Sequence, residues 1–179
     1  FNDIIYKENM AYYQGKYKVS NPKKYKGDSS DVTYRSGWEK SCFQWCDGNT
    51  DIIEWSSETI IIPYFYDVDK KYHRYFMDLY IKFKDRTVLV EVKPKKETKA
   101  PAKQGKTKQR YLTEAMTFVK NQNKWQAAAN YAADRGWDFE VWTEDELKAL
   151  GILKTIKSKK KIAPLKKLAP YKRKKKTTK

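Results

Sequence analysis

The stretch 87–93, Thr-Val-Leu-Val-Glu-Val-Lys, limits most tightly what this chain can fold into. Its β-branched residues suit a buried strand. Side chains alternate along a strand, so Leu89, Glu91 and Lys93 share one face and Val88, Val90 and Val92 the other. A carboxylate and an ammonium in such a strand need partners, because burying an unpaired charge is costly. The preceding 72–83 also alternates, with Met77, Leu79, Ile81 and Phe83 on one side and Asp78, Tyr80 and Lys82 on the other. A turn at Asp85 and Arg86 folds the two runs into a hairpin that pairs Phe83 with Val88, Ile81 with Val90 and Leu79 with Val92. That register sets Tyr80 opposite Glu91 and Asp78 opposite Lys93, with Asp78 diagonal to Glu91 on one face. Two carboxylates so placed repel each other unless a proton or a cation lies between them. Lys93 is one such cation and a divalent metal a second. Spacing alone equally allows a solvated, salt-bridged hairpin, since exposed ion pairs are common and worth only ~0.2–1 kcal/mol.

The flanking sequence builds a domain around this hairpin. Upstream, 36–46 reads as a helix with Trp38, Cys42, Trp45 and Cys46 on its inner side and Ser36 as N-cap. Glu39 stands at the capping-box position, which gives it a structural role before any other. Strands follow at 52–56 and 59–66, the second marked as an edge by Pro63. Asp67, Asp69, Lys70 and Lys71 form a turn, and the chain's single His, His73, is a weak zinc candidate without a ligand cluster. Downstream, 111–134 is the longest helix, with stripes of Leu112, Ala115, Met116 and Val119, then of Trp125, Ala128, Ala129 and Ala132. The polar 121–123 between them suggests a bend or break. Residues 137–142 form a last strand, and Thr143 with Glu146 caps a short helix that Gly151 ends. The element order points to an α/β fold with a central mixed sheet flanked by helices.

Charge then names a class of partner. The 179 residues carry a net charge of +17, which opposes compaction and argues for a polyanionic partner. Three segments hold it. Residues 1–34 interleave Tyr12, Tyr13, Tyr17 and Tyr25 with lysines, as in an arm that grips phosphate and stacks on bases, or a wrap whose tyrosines pack on the domain. Residues 94–110 carry Lys95, Lys96, Lys99, Lys103, Lys106, Lys108 and Arg110 directly after the acidic pair, read as a mobile basic loop. Residues 157–179 hold twelve Lys or Arg and no acid, with Lys172, Arg173 and Lys174 in the densest run; without them the net charge is +5. The core domain therefore spans 35–156. Cys42 and Cys46, one helical turn apart, read as free thiols. No run of about 18 apolar residues is present, so no membrane partner is expected.

Asp78 followed by Glu-Val-Lys at the end of an apolar strand resembles the signature of the PD-(D/E)xK, restriction-endonuclease-like superfamily, although Met77 stands where that signature often has Pro. The superfamily commonly carries an acidic residue on the helix before the hairpin, a role that falls here on Glu39. The stretch from Lys124 to Glu144 resembles the second half of transposon-end and phage nucleases, with Lys124 a further phosphate contact. The whole chain resembles the head completion nucleases of large contractile-tailed phages. The resemblance implies metal-dependent hydrolysis of phosphodiester bonds. Asp78, Glu91 and the Val92 carbonyl would hold Mg²⁺, or Mn²⁺ in its place; Glu39 would bind a second ion or a water, and Lys93 would orient the attacking water. It further implies double-stranded or branched DNA as substrate, capsid portal or head–tail connector proteins as partners, and residence in the host cytoplasm during assembly or in the virion. The alternative is a DNA-binding virion protein with a vestigial or secondary nuclease site.

Overall fold

The computed structural model describes residues 13–154. In chain order the elements are β1 (Gly15–Tyr17), β2 (Val32–Tyr34), α1 (Gly37–Gly48), β3 (Ile52–Ser56), β4 (Ile61–Tyr66), β5 (Lys71–Phe76), β6 (Leu79–Phe83), β7 (Thr87–Val92), α2 (Lys108–Ala133), β8 (Asp138–Trp142) and α3 (Glu144–Ala149). The central sheet has the order β3-β6-β7-β8. β6 runs antiparallel to both β3 and β7, whereas β7 and β8 are parallel. Parallel neighbours need a long crossover, and α2 provides it. This is the mixed α/β architecture expected from the sequence.

Strand alternation divides the core between the two faces of the sheet. Val88, Val90 and Val92 join Leu79 and Ile81 in a cluster with Phe43, Cys42 and Cys46 of α1, Trp55 and Leu147 of α3. Leu89 and Tyr80 face the other way, into a cluster with Tyr75, Met77, Ala128 and Ala132. Both cysteines are free and buried, and burial pushes the two thiols up from their ordinary range. Tyr17, Val19, Tyr25, Val32 and Tyr34 belong to the first cluster, so 13–34 packs on the domain. Tyr12 and the remainder of the expected arm lie outside the described residues, as does the tail with Lys172, Arg173 and Lys174.

The hairpin differs from expectation in two respects. First, 72–83 is not one strand: β5 pairs with β4 in a separate two-stranded ribbon, and the chain crosses into the central sheet at Met77 and Asp78. Met77 is fixed there by Ile60 and Glu58, through Met77 N–H to the Ile60 carbonyl at 3.0 Å and Glu58 N–H to the Met77 carbonyl at 2.9 Å. The crossing breaks the alternation, so Met77 joins the face opposite to Leu79 and Ile81. Second, the β6–β7 register pairs Leu79 with Val90 and Ile81 with Val88. The turn lies at Lys84 and Asp85, closed by Phe83 N–H to the Arg86 carbonyl at 2.8 Å. Moving a turn by one residue moves the register by two, which preserves the faces.

Two helix expectations also change. α2 begins at Lys108, capped by the Thr107 side chain, and continues without a break through 121–123. Asn121 is buried, and Asn123 holds the 67–70 turn by bonds to the Asp67 N–H at 3.1 Å and carboxylate at 2.8 Å. Leu112 and Met116 remain exposed, so the packed stripe starts at Val119. The Thr143–Glu146 capping box forms as expected.

Candidate active site

The site forms where the two sheets part. Past Leu79↔Val90, β7 continues to Val92 paired with β8 alone. The Val92 N–H is met by a side chain instead of a strand: it donates to Asp78 Oδ2 at 2.8 Å. Among the described residues this is the one hydrogen bond to Asp78. Glu91, 2 % exposed, is held from two sides. The Tyr75 hydroxyl donates to its Oε2 at 2.6 Å, and Lys93 Nζ lies 3.0 Å from its Oε1. Behind Tyr75, the Lys124 ammonium from α2 sits 4.6 Å from the ring centroid. The structure thus brings Asp78, Glu91, Lys93 and Lys124 together, and the Val92 backbone with them.

Electrostatics follow from this crowding. Burial, then the charges of Glu91 and Glu39, push the Asp78 carboxyl well above its ordinary range, against the opposing Val92 N–H and Lys93. Burial pulls Lys93 down, but Glu91 and Asp78 outweigh it and hold the ammonium charged. Lys124 is lowered, chiefly by burial. The site therefore crowds carboxyl oxygens together, with the Lys93 ammonium and the Lys124 amino group alongside.

Glu39 is held differently. Its Oε2 accepts the Arg35 N–H at 2.7 Å and its Oε1 the Ser36 hydroxyl at 2.9 Å, while its own N–H donates to Ser36 Oγ at 3.1 Å. Ser36 is the cap of α1 and Glu39 braces it, but the reciprocal bond of a capping box to the Ser36 N–H is replaced by one to the Arg35 N–H; burial raises the Glu39 carboxyl. Among the described residues no three His, Cys, Asp or Glu side chains converge closely enough to hold an ion. Glu39 is near enough to be felt by Asp78 and stays apart from the Asp78–Glu91 pair in this conformation.

The basic segment expected as a loop over 94–110 ends in helix, with Lys108 and Arg110 in the first turn of α2, and it is partly neutralised. Lys95 Nζ pairs with Asp145 at 2.5 Å, Lys106 pairs with Glu114, and Arg110 reaches Glu114 at 3.1 Å. Lys96, Lys99, Lys103 and Lys108 are exposed. His73 Nε2 lies 2.8 Å from Asp69 Oδ2, a surface pair.

Sequence reasoning missed Tyr75 and the Arg35–Glu58 pair. Tyr75 turns toward Glu91 only because the strand breaks at 77–78, and alternation carries no sign of that break. Arg35 Nε and Nη2 meet the two Glu58 oxygens at 2.5 and 3.0 Å. Glu58 has a φ of 56°, a left-handed conformation uncommon outside glycine.

Comparison with known proteins gives the family. A family model described as TnsA-like endonuclease N terminal matches residues 49–144. The chain belongs to that endonuclease family. The match takes in Asp78, Glu91, Lys93 and Lys124 and begins after Glu39. The family is restriction-endonuclease-like, in accord with the mixed sheet. The chain is also 45% identical over 144 residues to the head completion nuclease of Enterobacteria phage T4, which covers 78% of this chain and 96% of that protein. No solved structure matches.

Proposed function

We propose that this endonuclease is a metal-dependent DNA hydrolase whose reacting centre is Asp78, Glu91 and Lys93. The observation that carries it is the pairing of half-buried Asp78 with buried Glu91, with Val92 N–H on one carboxylate and Lys93 on the other. Carboxylate and carbonyl oxygens are the donors a hard cation prefers, and a cation offsets the burial and the repulsion from Glu91 and Glu39 that raise Asp78. Asp78, Glu91 and the Val92 carbonyl would hold Mg²⁺, or Mn²⁺ in its place. Bound there, such an ion supplies Lewis-acid polarisation of a phosphoryl oxygen and a nucleophilic water at neutral pH. Lys93, anchored by Glu91, orients the attacking water and offsets the charge that grows on the phosphorus oxygens. Lys124 and the exposed lysines of the loop hold the DNA backbone without reading sequence. Glu39 enters only if substrate or ion draws it from its cap.

The name of the T4 relative motivates the physiological setting: cleavage of packaged phage DNA at head completion, with the capsid portal or head–tail connector as partners. The enzyme would then reside in the host cytoplasm during assembly or in the virion. One observation favours the alternative, a DNA-binding virion protein with a vestigial centre: among the described residues, no three carboxylates converge. Plasmid nicking with Mg²⁺, Mn²⁺ or EDTA decides between them. Metal-dependent nicking that disappears in Asp78→Ala supports the hydrolase. Tight DNA binding without nicking, on linear, gapped and branched DNA alike, supports the structural role.

A further inference from the structure

The β4–β5 ribbon carries a face that catalysis, as described, does not use. Cross-strand register separates its residues cleanly. Ile62↔Tyr75, Tyr64↔His73 and Tyr66↔Lys71 alternate with Ile61↔Phe76, Pro63↔Arg74 and Phe65↔Tyr72. The tyrosines of the first set, with Ile62, are buried against α2. The second set points outward: Ile61 is 45% exposed, Phe65 40%, Tyr72 77% and Phe76 41%. Phe65 and Tyr72 meet edge to face at 5.3 Å between centroids, and the Arg74 guanidinium lies 5.7 Å from the Phe76 ring. Three aromatic rings, two aliphatic side chains and one arginine thus share one face of the ribbon, and its register pairs include no carboxylate.

Such a surface is costly in water and needs an occupant. Its one charge is positive, and it belongs to a chain with a net charge of +17, so the complementary occupant is anionic. Rings and a guanidinium together take aromatic faces, which a nucleic acid presents on every nucleotide and an acidic peptide only where it carries an aromatic residue. Within a duplex the base faces are already stacked on each other and only edges and phosphates are presented. Aromatic platforms therefore engage bases that have lost their partners. The ribbon's position suits this, because Phe76 is followed by Met77 and then Asp78, and Tyr75 on the reverse of the same strand holds Glu91.

We propose that the outer face of the β4–β5 ribbon, centred on Phe65, Tyr72, Arg74 and Phe76, is a stacking platform for unpaired bases that directs cleavage to DNA with a splayed or single-stranded part. The proposal rests on the DNA endonuclease function proposed above and adds its substrate class. The test compares three ligands of one sequence: blunt duplex, forked duplex with unpaired arms, and single strand. Each carries a fluorescent adenine analogue whose emission is quenched by stacking. Full-chain protein is titrated as wild type, as Tyr72→Phe, as Tyr72→Ser, and as the double variant Phe65→Leu with Tyr72→Leu. Tyr72 is the most exposed ring, so Tyr72→Ser carries the test if the double variant fails to fold.

Wild type and Tyr72→Phe should quench the analogue in forked and single-stranded DNA and bind both more tightly than duplex. Tyr72→Ser should weaken that binding about 5- to 150-fold, the range spanned by loss of one base–aromatic stack, with duplex affinity unchanged. Equal losses on duplex and fork would overturn the proposal and make the face a backbone contact. Unchanged DNA binding and nicking in all variants would also overturn it while leaving the endonuclease function intact; loss of self-association in sedimentation by the same variants would identify a second copy as the occupant. Wild-type protein that neither binds nor nicks any DNA would remove both the proposal and its parent.

Discussion

Asp78 concentrates the tension of the site in one residue. Burial, Glu91 and Glu39 raise its carboxyl from an ordinary value of 3.8. A group whose folded pKa exceeds its unfolded value favours folding below the ordinary range, and this contribution is lost as pH rises through the folded value. In the metal-free protein the contribution of Asp78 to stability should thus fall as pH climbs from about 3.8 toward neutrality, while exposed carboxylates with lowered values, such as Asp28 and Asp145, act in the opposite sense. Asp78→Asn keeps an acceptor for the Val92 N–H and removes the charge. It should raise the melting temperature of EDTA-treated protein near neutral pH, flatten that pH dependence, and abolish cleavage. A metal-free variant that melts lower than wild type at neutral pH would count against the charge repulsion invoked here. Glu39→Gln separates two roles in the same manner. As a cap it should cost ~0.5–2 kcal/mol in chemical denaturation and leave cleavage within a few-fold; a collapse of turnover with stability preserved would instead recruit Glu39 to the reaction. Alternation in 87–93 was enough to place Glu91 and Lys93 on one side before any coordinates. Tyr75 was not legible, because its orientation depends on a break in the strand that no local residue pattern marks.

At the scale of elements, the helix–sheet interface is set by small residues. Ala128 and Ala132 of α2 are fully buried against the second cluster, which lets the helix lie close to Tyr75, Tyr80 and Leu89 and brings Lys124 over Tyr75. Ala128→Leu overfills that layer and should destabilise the protein by ~1–3 kcal/mol in urea titration. It should also reduce cleavage, because Lys124 moves with the helix. A neutral effect on both would show the layer to be loosely packed. Elements with a strong local signal were readable: Ser36 and Thr143 cap their helices, Gly151 follows the last helix, and Pro63 lies in a ribbon outside the central sheet. The hairpin register was readable only to within two residues, since Lys84, Asp85 and Arg86 contain no glycine or asparagine to fix the turn. The 121–123 segment looked like a break because polarity alone does not reveal tertiary partners, here Asp67 for Asn123.

For the whole molecule, charge and chemistry occupy different parts of the chain. Residues 157–179 hold twelve positive charges, and the carboxylate pair lies at the central sheet, Glu91 in β7 and Asp78 at the entry to β6. Binding to duplex DNA weakens with salt at a log–log slope near −0.9 per phosphate neutralised. Truncation after Ile156 should make that slope shallower while the single-turnover rate at saturating DNA stays within a few-fold. An unchanged slope would remove the tail from the DNA interface. The broad architecture was legible at this scale because parallel pairing of 87–92 with 138–142 requires an intervening helix, and 111–134 was long enough to be it. Integration of 13–34 into the core was legible only as one of two readings, the wrap whose tyrosines pack on the domain, since lysine-rich spacing between the tyrosines obscured which rings are buried. The central claim, that Asp78 and Glu91 hold the ion that cleaves DNA, is met most directly by single-turnover nicking of plasmid across a Mg²⁺ titration, for wild type, Asp78→Ala and Glu91→Ala of confirmed fold. The account predicts a metal-saturable rate in wild type, none above the EDTA background in either variant, and DNA affinity retained by all three. Full nicking by either variant, or nicking by wild type in EDTA, would contradict it.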